Sequence, residues 1–366
     1  MKDITTPMPA TDSFAGAILT ILSLSGELSI EQTKRLTDSA SYQERALKRM
    51  RANKLIRTYY KDELRGLRLT AAAKRLLLRT QPDKYAPILA GENVVNAPKY
   101  NKRDRTRLHA MSEVLVTMHN AGVLYQPNEK PALFQTPRDV LDLRFDLPTY
   151  YTSLEAKSIG AQRRKILGSR AAGVLLTEDA IYAVYNASDT DLQWKHASEL
   201  DFTIFLQTEL RESRLSDQYW GKRERAIAFA SDMSRLSIIM KHDPCRTRNY
   251  FVLDNSFEHF HFLTSDRRGE RVLTYLCDSD KRERLNATLS AGLSPRKPNW
   301  AIPNDGFDAD ETPVLFGYTC DVPRIFSFKN ALEMFGQTGI LYCFGFQAEA
   351  IRSVCGERVQ VRHIVI

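Results

Sequence analysis

Residues 41–69, SYQERALKRMRANKLIRTYYKDELRGLRL, decide the fold of the first part of the chain. From Ser41 to about Asn53, Ala46, Leu47 and Met50 fall on one side of a helical wheel. Ser41, Arg45 and Lys48, at i, i+4 and i+7, fall on the opposite side, with Arg49 and Arg51 on its flanks. Leu55–Tyr60 is rich in β formers, KDELRG is a polar loop, and Leu67–Arg68–Leu69 alternates in character, so the three together read as a hairpin.

Working outward, Asp12 is the expected N-cap of a helix that carries Phe14, Ala17, Ile18, Ile21 and Leu22 on one stripe and ends at Gly26. Ile30–Leu36 reads as a second short helix and Thr37–Ala40 as a turn, while Thr70 caps a further helix, AAAKRLLL. Helix, helix, turn, helix, two-stranded wing, helix is the order of a winged helix-turn-helix, expected over residues 12–82 behind a loose tail at 1–11. In that architecture Ser41, Arg45, Lys48, Arg49 and Arg51 suit a major groove, where cations reach guanine edges or phosphates. Arg57, Lys61, Arg65 and Arg68 would follow the phosphate backbone beside it, giving affinity and salt dependence without sequence reading.

Charge supports the same placement. Residues 1–107 hold 21 Lys and Arg against 11 Asp and Glu, whereas the rest of the chain holds 31 against 33, so the whole net charge of +8 arises in the N-terminal third. The five cysteines are scattered and form no C-x-x-C pair, which argues for buried structural thiols over a disulfide framework or zinc knuckle. No stretch has the roughly 18 uninterrupted apolar residues of a membrane span, and Met1–Ala10 has no secretory-signal pattern, so a cytoplasmic protein without a membrane partner is expected.

Prolines and glycine at 82, 87, 91 and 98 suggest a linker over 83–103. Residues 104–366 then read as a mixed α/β domain, giving an α+β chain overall. Its first helix, Asp104–Ala121, carries Leu108, Met111, Leu115 and Met118, a stripe that suits a domain core better than a dimer seam. Strands are expected at Ala171–Leu176, Ala180–Tyr185, Tyr250–Leu253, Phe260–Thr264, Pro313–Tyr318, Gly339–Phe344 and Val359–Ile366. Helices are expected at His196–Glu212, Asp232–Met240, Lys281–Ala291, Phe328–Phe335 and Gln347–Val354. An exposed loop is expected at about 293–312, and no internal repeat is visible.

Two constellations in this second part could carry chemistry. His259 and His261 share a strand face and could jointly ligate a divalent metal, as in HUH nicking endonucleases, although satisfied structural histidines fit the pattern better. Asp146, Glu155 and Lys157 are loosely similar to PD-(D/E)xK nucleases, whose carboxylates hold Mg²⁺ while the lysine assists an attacking water. The run Gln162–Arg170 suits either a phosphate-contacting surface or a charged helix. No nucleotide-binding glycine loop, G-x-S-x-G elbow or H-E-x-x-H is present.

The segments ILTILSLSGELSIEQTKRL (18–36) and YQERALKRMRANKLIRTYYKDELRGLRLTAAAKRLL (42–77) resemble the N-terminal winged helix of the replication-relaxation family. Those proteins are carried by plasmids and integrative conjugative elements of Gram-positive bacteria. SRAAGVLLTEDAIYAVYN (169–186), with Trp194 and Glu199 beyond, looks similar to an uncharacterised class of clostridial mobile-element proteins. The resemblance implies a role in plasmid copy control, replication or DNA relaxation, and it brings no catalytic residues with it.

The leading expectation is therefore a sequence-specific double-stranded DNA-binding protein of a mobile element, acting in replication, conjugative transfer or transcription control. Half-site geometry suggests a homodimer. A metal-dependent nicking or cleaving nuclease is the first alternative and a protein-interaction module the second. No cofactor is expected, Mg²⁺ or Mn²⁺ entering only with the nuclease.

Overall fold

Helix α1 (Phe14–Ser25) is buried along nearly its whole length, with Ile18, Leu19 and Ile21 fully enclosed. A helix that is apolar on all sides has to be surrounded, and this one is surrounded within its own unit. The computed structural model describes residues 8–90, 99–134, 144–156, 168–240, 250–251 and 256–365, and it divides into Met1–Ala132 and Leu133–Ile366. Both units mix helices with strands, which makes the chain an α+β protein.

After α1 the first unit runs through β1 (Leu28–Ser29), α2 (Ile30–Thr33), a 3₁₀ turn at Lys34–Leu36, and α3 (Ala40–Ala52). It continues with β2 (Ile56–Lys61), β3 (Leu64–Leu69), α4 (Ala71–Thr80), α5 (Pro82–Leu89) and α6 (Lys102–Asn120). The strands form an antiparallel sheet in the order β1-β3-β2. α3, α5, α6 and β3 all pack on α1.

Several expectations change here. The first unit reaches Ala132, so the helix assigned at the sequence level to the C-terminal domain from residue 104 belongs to the N-terminal unit instead. The supposed linker at 83–103 contains α5, in which Lys84, Tyr85, Ile88 and Leu89 are buried and the Tyr85 hydroxyl meets Thr20 Oγ1 of α1 at 3.1 Å. Its prolines misled the reading because Pro82 stands at the helix start, where a missing N–H costs nothing. α6 packs on α1, and Leu115 and Met118 of its stripe are fully buried while Leu108 and Met111 are half-buried. The cap of α1 is Ser13, whose hydroxyl accepts the Gly16 amide at 3.1 Å, while Asp12 lies exposed one residue before it. Residues 1–7 of the expected tail and 91–98 of the expected linker lie outside the described residues.

Among the described residues the second unit holds two five-stranded sheets. The first, in the order β4-β5-β6-β7-β8, comprises Thr149–Thr152, Gly173–Leu176, Ile181–Ser188, Arg225–Ala230 and Phe260–Thr264. The second, β9 to β13 in sequential order, comprises Ser294–Pro295, Gly306–Phe307, Pro313–Phe316, Gly339–Phe344 and Val359–Ile364. Both follow one scheme: the first three strands pair antiparallel, and the last two add in parallel after helical connections. A repeat invisible in the residues is thus present in the topology. The sheets share one apolar core, and the Phe262 amide of β8 donates to Cys320 O just beyond β11 at 3.0 Å.

Of the expected exposed loop at 293–312, residues 294–299 and 309–311 are exposed, but its middle is not. The segment supplies β9 and β10 and buries Ile302, Asn304 and Phe307. Ladders two residues long are too short to show a period of two, so composition alone could not reveal them. Cys320, Cys343 and Cys355 are buried free thiols and Cys277 is largely enclosed, while Cys245 lies outside the described residues. Burial pushes the Cys277, Cys343 and Cys355 thiols up to about 12.

Candidate nucleic-acid interface

α3 is set by its two ends and by the pair of residues it buries. Ser39 caps it by accepting the Tyr42 amide at 3.3 Å. At the other end Lys54 takes φ 53°, its amide donates to Arg51 O, and the Leu55 amide donates to Met50 O, both at 2.9 Å. This is a Schellman stop, and it turns the chain straight into β2. Leu47 and Met50 anchor the inner face, Ala46 is half-buried, and Ser41, Arg45, Lys48, Arg49 and Arg51 stand exposed, as the wheel predicted.

Arg45 Nε bonds to Ser41 O within the helix at 3.3 Å, and Arg51 Nε donates to Thr58 Oγ1 of β2 at 3.2 Å. Neither these cations nor Lys48, Arg49, Arg57, Lys61 and Arg65 form an ion pair with a carboxylate among the described residues. The flank of α3 is also open: Arg45 and Arg49 border a hollow of about 460 Å³ beside Met8, Tyr42 and Met50.

β2 and β3 turn through Asp62 and Glu63, whose φ values of 52° and 63° match a two-residue type I′ hairpin. The loop is therefore shorter than the KDELRG expected, and Leu64, Arg65 and Gly66 belong to the ladder. The register places Tyr60 opposite Arg65 on the face shared with Thr58, and Arg57, Tyr59 and Lys61 on the other. Burial and, after it, the nearby charge of Arg57 lower the pKa of Lys74 on α4.

Arg68 is a correction. It is 5% exposed, and its guanidinium donates through Nε and Nη2 to Glu27 Oε2 at 2.8 and 2.6 Å, so it contributes no surface charge. Glu27 is fully buried between β1 and the hairpin and also takes Arg105 Nη2 of α6 at 2.6 Å and His109 Nε2 at 2.9 Å. Burial works to raise the Glu27 pKa, but the hydrogen bonds from His109, Arg105 and Arg68 prevail and hold it down at about 2. The Arg68 and Arg105 guanidiniums lie 4.0 and 4.7 Å from the Tyr59 ring centroid.

This cluster was missed at the sequence level. Its one signal was a lone carboxylate, Glu27, immediately after an apolar helix. Gly66 is required here by close approach, since a Cβ at that position would stand 2.2 Å from Glu27 Oε1. Gly66→Ala should therefore displace the carboxylate and lower the stability of the unit by about 1–3 kcal/mol, read by thermal unfolding.

Four of the candidate residues of the second unit, Asp146, Glu155, His259 and His261, lie among the described residues. Asp146 is an exposed partner of Arg144 at 3.3 Å, and Glu155 accepts the Thr152 amide and hydroxyl at 2.8 and 2.9 Å as a local cap. Lys157 lies outside the described residues, as do residues 162–167 of the basic run. His259 Nδ1 donates to Asp321 Oδ2 at 2.6 Å and His261 Nδ1 donates to Thr319 O at 3.1 Å, with the two rings stacked 6.2 Å apart. Burial lowers the His261 pKa to about 4, so its ring is neutral near pH 7. Among the described residues, no group of three or more His, Cys, Asp or Glu is placed to hold a metal ion. No helix among them is long and apolar enough to cross a membrane.

Comparison of the chain with protein-family profiles, with curated proteins and with solved structures gives no match.

Proposed function

We propose that the N-terminal unit is a winged helix that binds double-stranded DNA, with α3 entering the major groove and the β2–β3 hairpin as the wing. The observation that carries this reading is the outer face of α3: Arg45, Lys48, Arg49 and Arg51 are exposed and, among the described residues, unpaired with carboxylates, on a helix fixed at both ends. Docking in a groove requires such fixing, because base-edge contacts depend on the angle and depth of the helix. The resemblance of residues 18–77 to replication-relaxation proteins supports placing this binding in replication, transfer or transcription control of mobile DNA.

Counterion release tests the reading directly. Each phosphate contact contributes about −0.9 to the slope of log affinity against log salt, so four or more contacts should weaken duplex binding on the order of a hundredfold between about 50 and 200 mM salt. Titration of the full chain with a fluorescent duplex measures it. Duplex affinity that is absent or flat with salt would reject the reading and favour the protein-interaction alternative.

A further inference from the structure

We infer that Arg105 is a positioning residue for the hairpin in DNA binding, so that α6 sets the geometry of a surface it does not itself form. The inference rests on the DNA-binding reading above and names the device that holds its second element in place.

Arg105 has no exposed surface, yet it reaches both arms of the hairpin beside the turn. Nη1 donates to Lys61 O at 2.6 Å, and Nη2 donates to Leu64 O at 2.9 Å and Tyr59 O at 3.4 Å. Lys61 and Leu64 are the register pair that closes the Asp62–Glu63 turn, so one planar fork grips the last carbonyls on either side of it. Nε and Nη2 also donate to Glu27 Oε1 at 3.1 and 2.6 Å, and Glu27 is itself fixed by Arg68 of β3.

Two considerations separate this role from generic stabilisation. A buried ion pair gains little over well-packed apolar residues, because desolvation offsets its attraction, so stability alone does not explain an arginine at this place. β1 pairs with β3 at Gly66 and Leu67 and so holds the base of the hairpin, while the Arg105 contacts hold its closing pair. The side chains preset in this way are Lys61, within that closing pair, and Arg65, next to it, both exposed. Lysine cannot replace the fork, since a single ammonium does not span the two strand carbonyls and the carboxylate together.

The test is a double-mutant cycle on duplex binding by the full chain, crossing Arg105→Lys with the pair Lys61→Ala/Arg65→Ala. In the wild-type background, the pair of hairpin substitutions should weaken binding on the order of tenfold and flatten the salt slope by about one to two. In the Arg105→Lys background the same pair should change neither quantity, because the hairpin cations no longer meet the phosphates. Equal losses in both backgrounds would overturn the inference. Hydrogen exchange of the Lys61 and Leu64 amides in the absence of DNA gives a second readout, with faster exchange expected in Arg105→Lys and unchanged exchange contradicting the clamp. If wild type fails to bind duplex while these amides still loosen, the DNA reading falls and the clamp survives; if binding holds and the cycle is additive, the reverse is true.

Discussion

Replacing Glu27 by alanine is expected to destabilise the N-terminal unit by about 3–5 kcal/mol, the usual consequence of removing one member of a buried ion pair. The effect is large because Glu27 is the carboxylate that Arg68, Arg105 and His109 share, and without it two guanidiniums remain buried against each other. Glu27→Gln separates charge from shape. Since the folded pKa of Glu27 is about 2 against an ordinary 4.5, its stabilisation is fully present above pH 4.5 and is lost as pH falls through 2. The stability difference between wild type and Glu27→Gln should therefore be constant above about pH 5 and shrink below it, by on the order of 3 kcal/mol at the acid limit. Hydrogen exchange of the β2–β3 amides in the full chain reads this unit selectively. A difference that persists unchanged to pH 2 would show that Glu27 does not carry the charge assigned to it.

The second large effect is expected at the outer face of α3. Arg45 and Lys48 each stand to lose either a base-edge contact worth about 1–3 kcal/mol or a phosphate contact, so their joint replacement by alanine should weaken duplex affinity on the order of a hundredfold or more. Stability should hardly move, since both side chains are exposed and neither has an ion-pair partner among the described residues. The Arg51 to Thr58 bond and the Schellman stop at Lys54 keep α3 in place without them.

What the residues alone revealed follows from which forces are local. α3 was legible because a 3.6-residue period and an abrupt change to β formers lie within thirty residues of one another, and its cations stand where the wheel put them. The unit boundary was not legible, although a clue was present: α1 is apolar on every side, and a helix of that kind demands more cover than residues 12–82 supply. Arg68 was misplaced because alternation in a strand identifies the two faces without saying which one a later helix will cover. That cover comes from Arg105, 37 positions downstream, by way of Glu27, 41 positions upstream, and no local pattern reports such a pairing. In the second unit β7 escaped notice because half of RAIAFA is alanine and Ile227 is its one β-branched residue, its place in the sheet being set by parallel neighbours on both sides. Each ring of the histidine pair has an acceptor at Nδ1, Asp321 Oδ2 for His259 and Thr319 O for His261, which no local pattern reports.

The claim that α3 docks on duplex DNA is tested most directly by titrating one fluorescent duplex, at physiological salt, with the full chain and with its Arg45→Ala/Lys48→Ala variant, their folding compared by thermal unfolding. The account predicts binding by the wild type and its loss, on the order of a hundredfold or more, in a variant that unfolds at the same temperature. Equal affinity in the two proteins would contradict it.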